Sequence, residues 1–488
     1  MRSLPGRRAF GRGLLALALL GIACAPETRE QPGPAPRPPR PDTKPRHVIV
    51  ILVDTLRADH LGAYGYARPT SPHFDAFAQG AVLFEDARAQ ASCTYPSVNS
   101  LLTSRPPEAF LAPLSPTPPG GAAAGGPSLG IPPDIAALPE ILARRGYRTA
   151  AVSASPIVRK SPTRFNPEGG FDRGFEAFDE ACLWQPAACV NDKALAHLRA
   201  PDPRPLLLYL HYIDPHGPYR PPAGHPRRFA RSGPGEPQGP AKEYLRKGDP
   251  NPIADHLYKG APDPGTTPAD LQHLVDLYDD EIAYWDGQFG RLLAAIQEAG
   301  MAEETVIALV ADHGEDFLEH GHVKHCRTLF DTSIKVPFVL RAPGIAPGVR
   351  QVQARNLDLV PTLLDLLGMP TEGEGLALEG RSLVPALRSP DSHALSASIQ
   401  FAAQGALRSA SDARHKLIAD LAAGTYTLYD LTADPGETRD VLAETVQRDR
   451  RAIGLLHRAL REHLARAGAR LQGTQEAEKK LRALGYLE

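Results

Sequence analysis

Three stretches of buried-strand character end in residues that can bind a cation or move a proton. Asp54 follows "VIVILV", Asp214 and His216 follow "LLLYLHYI", and Asp312 with His313 follows "VIALVA". Continuous β-branched and aliphatic runs read as strands covered on both faces. A carboxylate at the end of such a strand must be hydrogen-bonded, paired or metal-bound, because burying it alone is costly. Asp54, Asp312 and His313 together offer carboxylate oxygens and an imidazole nitrogen, a set suited to one divalent ion such as Zn²⁺ or Mn²⁺. Any one of them alone reads better as a helix N-cap or turn acid. The group as a whole, with "DHGE" inside it, favours the metal reading. A second feature is "ASCTYPSVNS", residues 91–100, which sets two nucleophiles, Cys93 and Thr94, just ahead of a Pro-Ser pair that starts a helix.

The elements that must position these residues alternate in type. "HVIVILVD" reads as a strand, "LPEILARRG" as a helix, "YRTAAVSAS" and "RPLLLYLHYID" as strands. "ADLQHLVDLYDDEIAYWDGQFGRLLAAIQEAG" is a long helix, followed by strands in "TVIALVADHGE" and "KVPFVLRAPG". This alternation predicts a large α/β sandwich around a mainly parallel mixed sheet, whose carboxyl edge is where ligands sit. Near the end, "HKLIADLAAGTYTLYDLTADPGE" reads as a hairpin and turn, and Ile453, Leu456, Leu460 and Leu464 mark one face of a helix. The tail is expected to be a small α+β subdomain. Residues 105–134 are expected to form a low-complexity surface loop, and the Pro- and Gly-rich residues 215–267 a lid or an insertion. The expected division is 1–24, 25–46, a catalytic domain 47–390 and a C-terminal subdomain with its helix 391–488.

Bulk properties narrow the function further. The 488 residues carry a formal net charge of -2, which gives no reason to expect a nucleic-acid partner. Cysteine is too sparse for a disulfide scaffold, although Cys182 and Cys189 could pair in an oxidising compartment or be unrelated thiols. Arg2, Arg7, Arg8 and Arg12 precede the short apolar run "GLLALALLGIAC", the pattern of an export signal. That run ends at Cys24 and resembles a bacterial lipobox, with Gly21 where Leu is usual. Residues 25–46 then read as a Pro-rich tether. The expected location is the bacterial cell envelope, on the periplasmic or extracellular side, with membrane contact only through a lipid at Cys24.

The segment "VIVILVDTLRADHLGAYGYARPTSPHFDAFAQGAVLFEDARAQASCTYPSVNSLLTS" resembles the opening of the sulfatase family of the alkaline phosphatase superfamily. "HYIDPHGPY", "DDEIAYWDGQFGRLL", "ADHGEDFLEHGH", "DLVPTLLDLLG" and "LYDLTADPGE" resemble its later landmarks in order, over roughly residues 47–440. The resemblance implies a metal-dependent ester hydrolase in which Asp54, Asp312 and His313 bind the metal. It also implies that His216 and Lys324, with His322 or His325, contact the charged ester oxygens and the leaving group. The substrate would be a small-molecule ester or one of an envelope glycan or lipid.

The resemblance also bears on the nucleophile. Formylglycine sulfatases carry Cys-x-Pro-Ser-Arg followed by Leu-Leu-Thr-Gly. Aligning Pro96, Ser97, Leu101, Leu102 and Thr103 puts Thr94, not Cys93, at the nucleophile position, with Val98 in place of the Arg. A threonine at a helix N-terminus beside a divalent ion is a reasonable nucleophile, and a metal ligand in its own right; a plain N-cap is the ordinary alternative. Threonine favours phosphoryl chemistry, since a threonine sulfate ester lacks the second hydroxyl through which a formylglycine hydrate expels sulfate. The pair Asp54-Thr55 replaces the paired acids of many sulfatases, which favours Zn²⁺ or Mn²⁺ over Ca²⁺. The competing readings are a phosphoryl-group transferase to an envelope acceptor, a formylglycine sulfatase using Cys93, and a non-catalytic metal-binding module.

Overall fold

The apolar runs become the centre of an eight-stranded sheet in the computed structural model, which describes residues 45–110, 130–163, 165–230, 267–373, 375–389, 399–448 and 450–466. The export segment and most of the tether lie outside these residues, as do the centres of the two expected loops. Strand His47–Val53 pairs in parallel with Leu206–Tyr212 on one side and Thr305–Ala311 on the other. Arg148–Ser153 and then Ala177–Asp179 extend the sheet, again in parallel. Beyond Thr305–Ala311, Phe338–Arg341 runs antiparallel to both its neighbours, and Val82–Phe84 and Gly348–Arg350 complete that edge. The sheet is therefore mixed and mostly parallel, as the alternation of elements predicts.

Alternation along the first strand explains why it is apolar throughout. Ile49, Ile51 and Val53 face a core with Phe74, Phe77, Leu277, Trp285 and Phe289. Val48, Val50 and Leu52 face a second core with Leu101, Leu138, Leu359 and Leu363. Helices on both faces leave a central strand no wet side, and each fully buried aliphatic side chain contributes about 1.5–3 kcal/mol.

The long helix Pro268–Glu298 fastens the loops around this frame. Its start is closed by a capping box between Thr267 and Asp270. Further along, Asp279 takes His60 Nδ1 at 2.7 Å, the Tyr66 hydroxyl at 2.7 Å and Arg68 at 2.8 Å. Asp286 accepts the backbone N–H groups of His73 and Phe74 at the start of helix Pro72–Gln79. Asp280 accepts those of Arg228, Phe229 and Ala230. Each buried acid is thus paired or hydrogen-bonded, which is what makes its burial tolerable.

A small C-terminal subdomain follows the main sheet. Strands Gln400–Gln404, Leu407–Ser411, His415–Asp420 and Thr425–Asp430 form an antiparallel meander. Helix Arg450–Arg466 covers it with Ile453, Leu456, Leu460 and Leu464, the residues that its sequence periodicity marks. Buried charges join it to the main body: Asp331 bonds Arg88 at 2.8 Å and Lys416 at 2.5 Å, and Lys416 also meets Glu437 at 2.8 Å.

Candidate active site and metal centre

Register brings the acids together. Val53 lies opposite Ala311 and Tyr212, so Asp54 and Asp312 leave adjacent strands at the same edge of the sheet. The chain turns sharply after Asp54, with Thr55 at φ 57°, a left-handed conformation uncommon for a β-branched residue. The turn is held at both ends of the peptide: Thr55 N–H donates to Asp312 Oδ1 at 3.2 Å, and its carbonyl accepts the Tyr278 hydroxyl at 2.7 Å. After Asp312 and His313, Gly314 passes so close to the Thr332 carbonyl that a Cβ would lie 2.1 Å from it. Only glycine fits there.

The group is buried and has oxygens to spare. Asp54, Asp312, His313 and Thr94 are each at most 3% exposed. Asp312 Oδ1 accepts N–H groups from Thr55 and His313, but Asp312 Oδ2 and Asp54 Oδ1 have no hydrogen-bond partner. His313 Nε2 faces both, 3.4 Å from Asp312 Oδ2 and 3.9 Å from Asp54 Oδ1. Burial, and then the charge of Asp312, push the Asp54 carboxyl well above the usual range. Burial lowers the His313 imidazolium, but Asp312 and Asp54 raise it by more. Both shifts mark a site that favours a positive charge, and the two partnerless carboxylate oxygens fit a cation.

Histidine tautomers follow from their partners. His313 Nδ1 donates to the Gly314 carbonyl at 2.9 Å, which turns the Nε2 lone pair toward the acids. Thr94 Oγ1 is 3.2 Å from that Nε2. Thr94 is the first residue of helix Thr94–Thr103, and the N-cap position belongs to Cys93, so the threonine hydroxyl does not cap its own helix. Ser97, one turn on, donates to the Asp312 carbonyl at 2.5 Å and locks the helix against the strand end.

His211, in the interior of "RPLLLYLHYID", is a contributor that the sequence reading passes over. Its Nε2 is 3.2 Å from Asp54 Oδ2 and its Nδ1 is 3.0 Å from the Tyr209 hydroxyl. Asp54, His211 and Asp312 offer ligand atoms all within 4.8 Å of one another. Burial holds His211 neutral, its pKa pushed down to about 4. A neutral ring that donates to Asp54 and accepts from Tyr209 suits an orienting partner of the carboxylate, leaving His313 Nε2 as the nitrogen turned inward. The available signal was one polar residue, next to last in an apolar strand.

The remaining candidates divide. His325 packs against His313 with ring centroids 4.5 Å apart, and His216 against His325 at 5.0 Å. His325 Nδ1 meets Glu315 Oε1 at 2.8 Å, and the Tyr219 hydroxyl donates to Glu315 Oε2 at 2.8 Å. Burial and then His325 press His216 down to about 3. Lys324 stands at φ 70° in the short strand Val323–Lys324, and its charge acts on both Glu315 and His325. His322 sits half-buried just before that strand with Nδ1 unpaired, and the row of packed rings passes through His325 rather than through it. Asp214 instead accepts the Ala187 N–H at 2.8 Å.

The two candidate nucleophiles differ in state. Cys93 is disulfide-bonded to Cys326, with Cα atoms 4.7 Å apart, and Cys326 N–H also donates to the Ser92 carbonyl at 2.7 Å. The bridge ties the Thr94 helix to the loop that carries Lys324 and His325. Cys182 and Cys189 are also paired.

Acids and histidines gather at the carboxyl edge of a mixed, mostly parallel sheet, beside a helix-borne hydroxyl. The profile described as "Sulfatase" matches residues 46–369, and that described as "N-sulphoglucosamine sulphohydrolase, C-terminal" matches residues 318–465. The chain belongs to the sulfatase family. It is 28% identical to arylsulfatase A of Bos taurus over 375 residues, covering 70% of this chain and 68% of the relative. Human arylsulfatase A is 26% identical over 458 residues, covering 82% and 84%. Among solved structures, a putative sulfatase from Bacteroides thetaiotaomicron superposes with TM-score 0.66 at 21% identity, covering 87% of this chain and 93% of that one. The phosphonate monoester hydrolase of Agrobacterium radiobacter gives 0.64 at 23%, covering 87% and 96%.

Proposed function

We propose that this sulfatase-family hydrolase cleaves charged oxoacid esters, phosphate or phosphonate esters ahead of sulfate esters, with Thr94 as its nucleophile. The observation that carries this reading is the convergence of Thr94 Oγ1, His313 Nε2 and the two partnerless oxygens of Asp54 and Asp312. Asp54, Asp312 and His313 would hold one divalent ion, with Thr94 adjoining it and His211 orienting Asp54. Two carboxylates, an imidazole and a hydroxyl suit Zn²⁺ or Mn²⁺ better than the oxygen-rich shell of Ca²⁺. When bound, the ion supplies Lewis-acid charge to the ester oxygens and lowers the pKa of a neighbouring hydroxyl.

The chain's own residues account for the rest. Thr94 Oγ attacks phosphorus; the new Oγ–P bond forms as the bond to the alcohol oxygen breaks, the hydroxyl proton passes by way of solvent to the departing alkoxide, and the alcohol leaves. Water then attacks phosphorus, releasing phosphate and restoring the threonine. His216 and His325 line the leaving-group side, where Glu315 fixes the His325 ring. Lys324 supplies positive charge for the ester oxygens. Pairing of Cys93 with Cys326 supports Thr94 over formylglycine, because the sulfur that conversion would consume is already bonded.

Sulfate-ester hydrolysis is the second reading, favoured by likeness to arylsulfatase A over most of the chain. Two disulfides among the described residues fit an oxidising compartment and support export. No described helix is long and apolar enough to cross a membrane. The test is a panel of aryl phosphate, phosphonate and sulfate esters, with and without added Zn²⁺ or Mn²⁺. Metal-dependent turnover led by phosphorus esters and reduced at least roughly a thousandfold by Thr94→Ala fits the proposal. Turnover that survives Thr94→Ala overturns it.

A further inference from the structure

Among the described residues, four large apolar side chains stand out into solvent: Phe165, Trp184, Val349 and Leu455. Two of these meet. The rings of Phe165 and Trp184 lie 6.2 Å apart at 73°, edge to face. Trp184 also lies 5.5 Å from His216, which continues through His325 and His313 to Thr94. A row of rings thus leads from an exposed aromatic pair to the buried hydroxyl.

Both aromatics are presented on firmly held backbone. Trp184 is 40% exposed and sits at φ 56°, a costly conformation for a bulky side chain. The Cys182–Cys189 bridge closes its loop, its N–H donates to the Ala154 carbonyl at 3.0 Å, and Gln185 N–H returns to the Cys182 carbonyl at 2.8 Å. Phe165 N–H donates to Thr163 Oγ1 at 3.2 Å, and Asn166 Nδ2 ties the same turn to the Ile157 carbonyl at 2.8 Å. Strained, cross-linked backbone that holds an indole out of the core, next to a site histidine, makes a pre-organised stacking surface.

We propose that Trp184, with Phe165 set across it, is the subsite for the alcohol portion of the ester, and that this portion presents a flat ring face, aromatic or pyranose. The inference rests on the hydrolase reading and narrows its substrate class: open-chain alkyl esters gain nothing from this surface.

The chain has two tryptophans, and Trp285 is fully buried, so ligand-sensitive emission belongs to Trp184. Thr94→Ala protein is titrated with phenyl phosphate, phenyl sulfate, glucose 6-phosphate, glucose 6-sulfate, and ethyl phosphate and sulfate. Ring-bearing ligands should change Trp184 emission at concentrations about three- to tenfold lower than ethyl ligands of equal charge. In the otherwise unaltered enzyme, Trp184→Ala should raise KM for ring-bearing esters by a similar factor and leave ethyl esters within about twofold, with Trp184→Phe restoring most of the loss. A preference for phenyl or for glucose ligands identifies which ring the surface takes. Equal effects on ring-bearing and ethyl esters overturn the subsite. Ring-selective emission changes in an enzyme that turns over none of these esters would refute the reaction while leaving the subsite standing.

Discussion

Asp312→Asn separates what the acid pair costs the fold from what it gives the site. Asp312 Oδ1 already accepts two N–H groups, whereas Oδ2 has no hydrogen-bond partner and faces His313. An asparagine can keep its oxygen at the first position and put its NH₂ at the second, where His313 Nε2 lies 3.4 Å away. The candidate ligand atoms of Asp54 and Asp312 lie within 4.8 Å. With both groups charged, the pair at that separation would repel by about 3.5 kcal/mol at an effective dielectric of about 20, an upper bound because burial and Asp312 already hold the Asp54 carboxyl well above its usual range. His313 offsets part of this, so removing one charge should stabilise metal-stripped protein by about 1–2 kcal/mol. For a chain of this size each kcal/mol moves the melting midpoint by about 1–2 °C. A divalent ion at a hundred times its Kd adds about 2.7 kcal/mol to any state that binds it. Calorimetry at one scan rate, in chelator and in Zn²⁺ or Mn²⁺, should therefore show two opposite effects. Metal-stripped Asp312→Asn should melt about 1–3 °C above the unaltered chain, which alone should rise by about 3–5 °C with metal. A variant that melts lower without metal, or that keeps the metal-dependent rise, refutes the argument.

Three other perturbations probe separate parts of the account. Replacing Cys93 and Cys326 together with Ser removes a cross-link of 233-residue separation, so stability should fall by about 2–5 kcal/mol in urea titration while metal-dependent esterase activity persists; loss of all activity in a folded variant would point back to formylglycine. Burial raises the Asp214 carboxyl to about 6, against a smaller opposing effect of its hydrogen bond with Glu281. The folded state therefore holds an extra proton between about pH 4 and 6, and stability falls as pH rises through that window, so Asp214→Asn should gain on the unaltered chain over the same range. Asp331 is the opposite case: burial would raise its carboxyl, but Arg88 and Lys416 depress it by more. Its contribution is present above about pH 4 and is lost as pH falls, and Asp331→Ala should cost about 3 kcal/mol at pH 7, read as early melting of the C-terminal subdomain.

The sheet was legible because its central strands are buried on both faces and so carry unbroken apolar runs. The helix Arg450–Arg466 was legible because Ile453, Leu456, Leu460 and Leu464 keep helical spacing. Short strands such as Val82–Phe84 and Ala177–Asp179 were not, since three residues give no period. Asp54, Asp312 and His313 stand out in the sequence only as a group, because any one acid at a strand end reads as well as a cap or turn residue, and the register then sets Asp54 and Asp312 at the same edge of the sheet. His211 was missed for the converse reason: inside a strand, a histidine reads as a tolerated core residue until the neighbouring strand shows that it faces Asp54. The Cys93–Cys326 bridge spans 233 residues and left no local signature.

If Thr94 is the nucleophile, it must carry a covalent ester during turnover. Metal-loaded protein is mixed with an aryl phosphate, phosphonate or sulfate ester, quenched in acid within one turnover, and digested for mass spectrometry of the peptide that contains residues 89–105. The expected outcome is a phosphoryl, phosphonyl or sulfuryl mass on Thr94, absent from Thr94→Ala and from metal-stripped enzyme, with Cys93 recovered in disulfide with Cys326. A formylglycine mass at Cys93, or an adduct on any other residue, contradicts it.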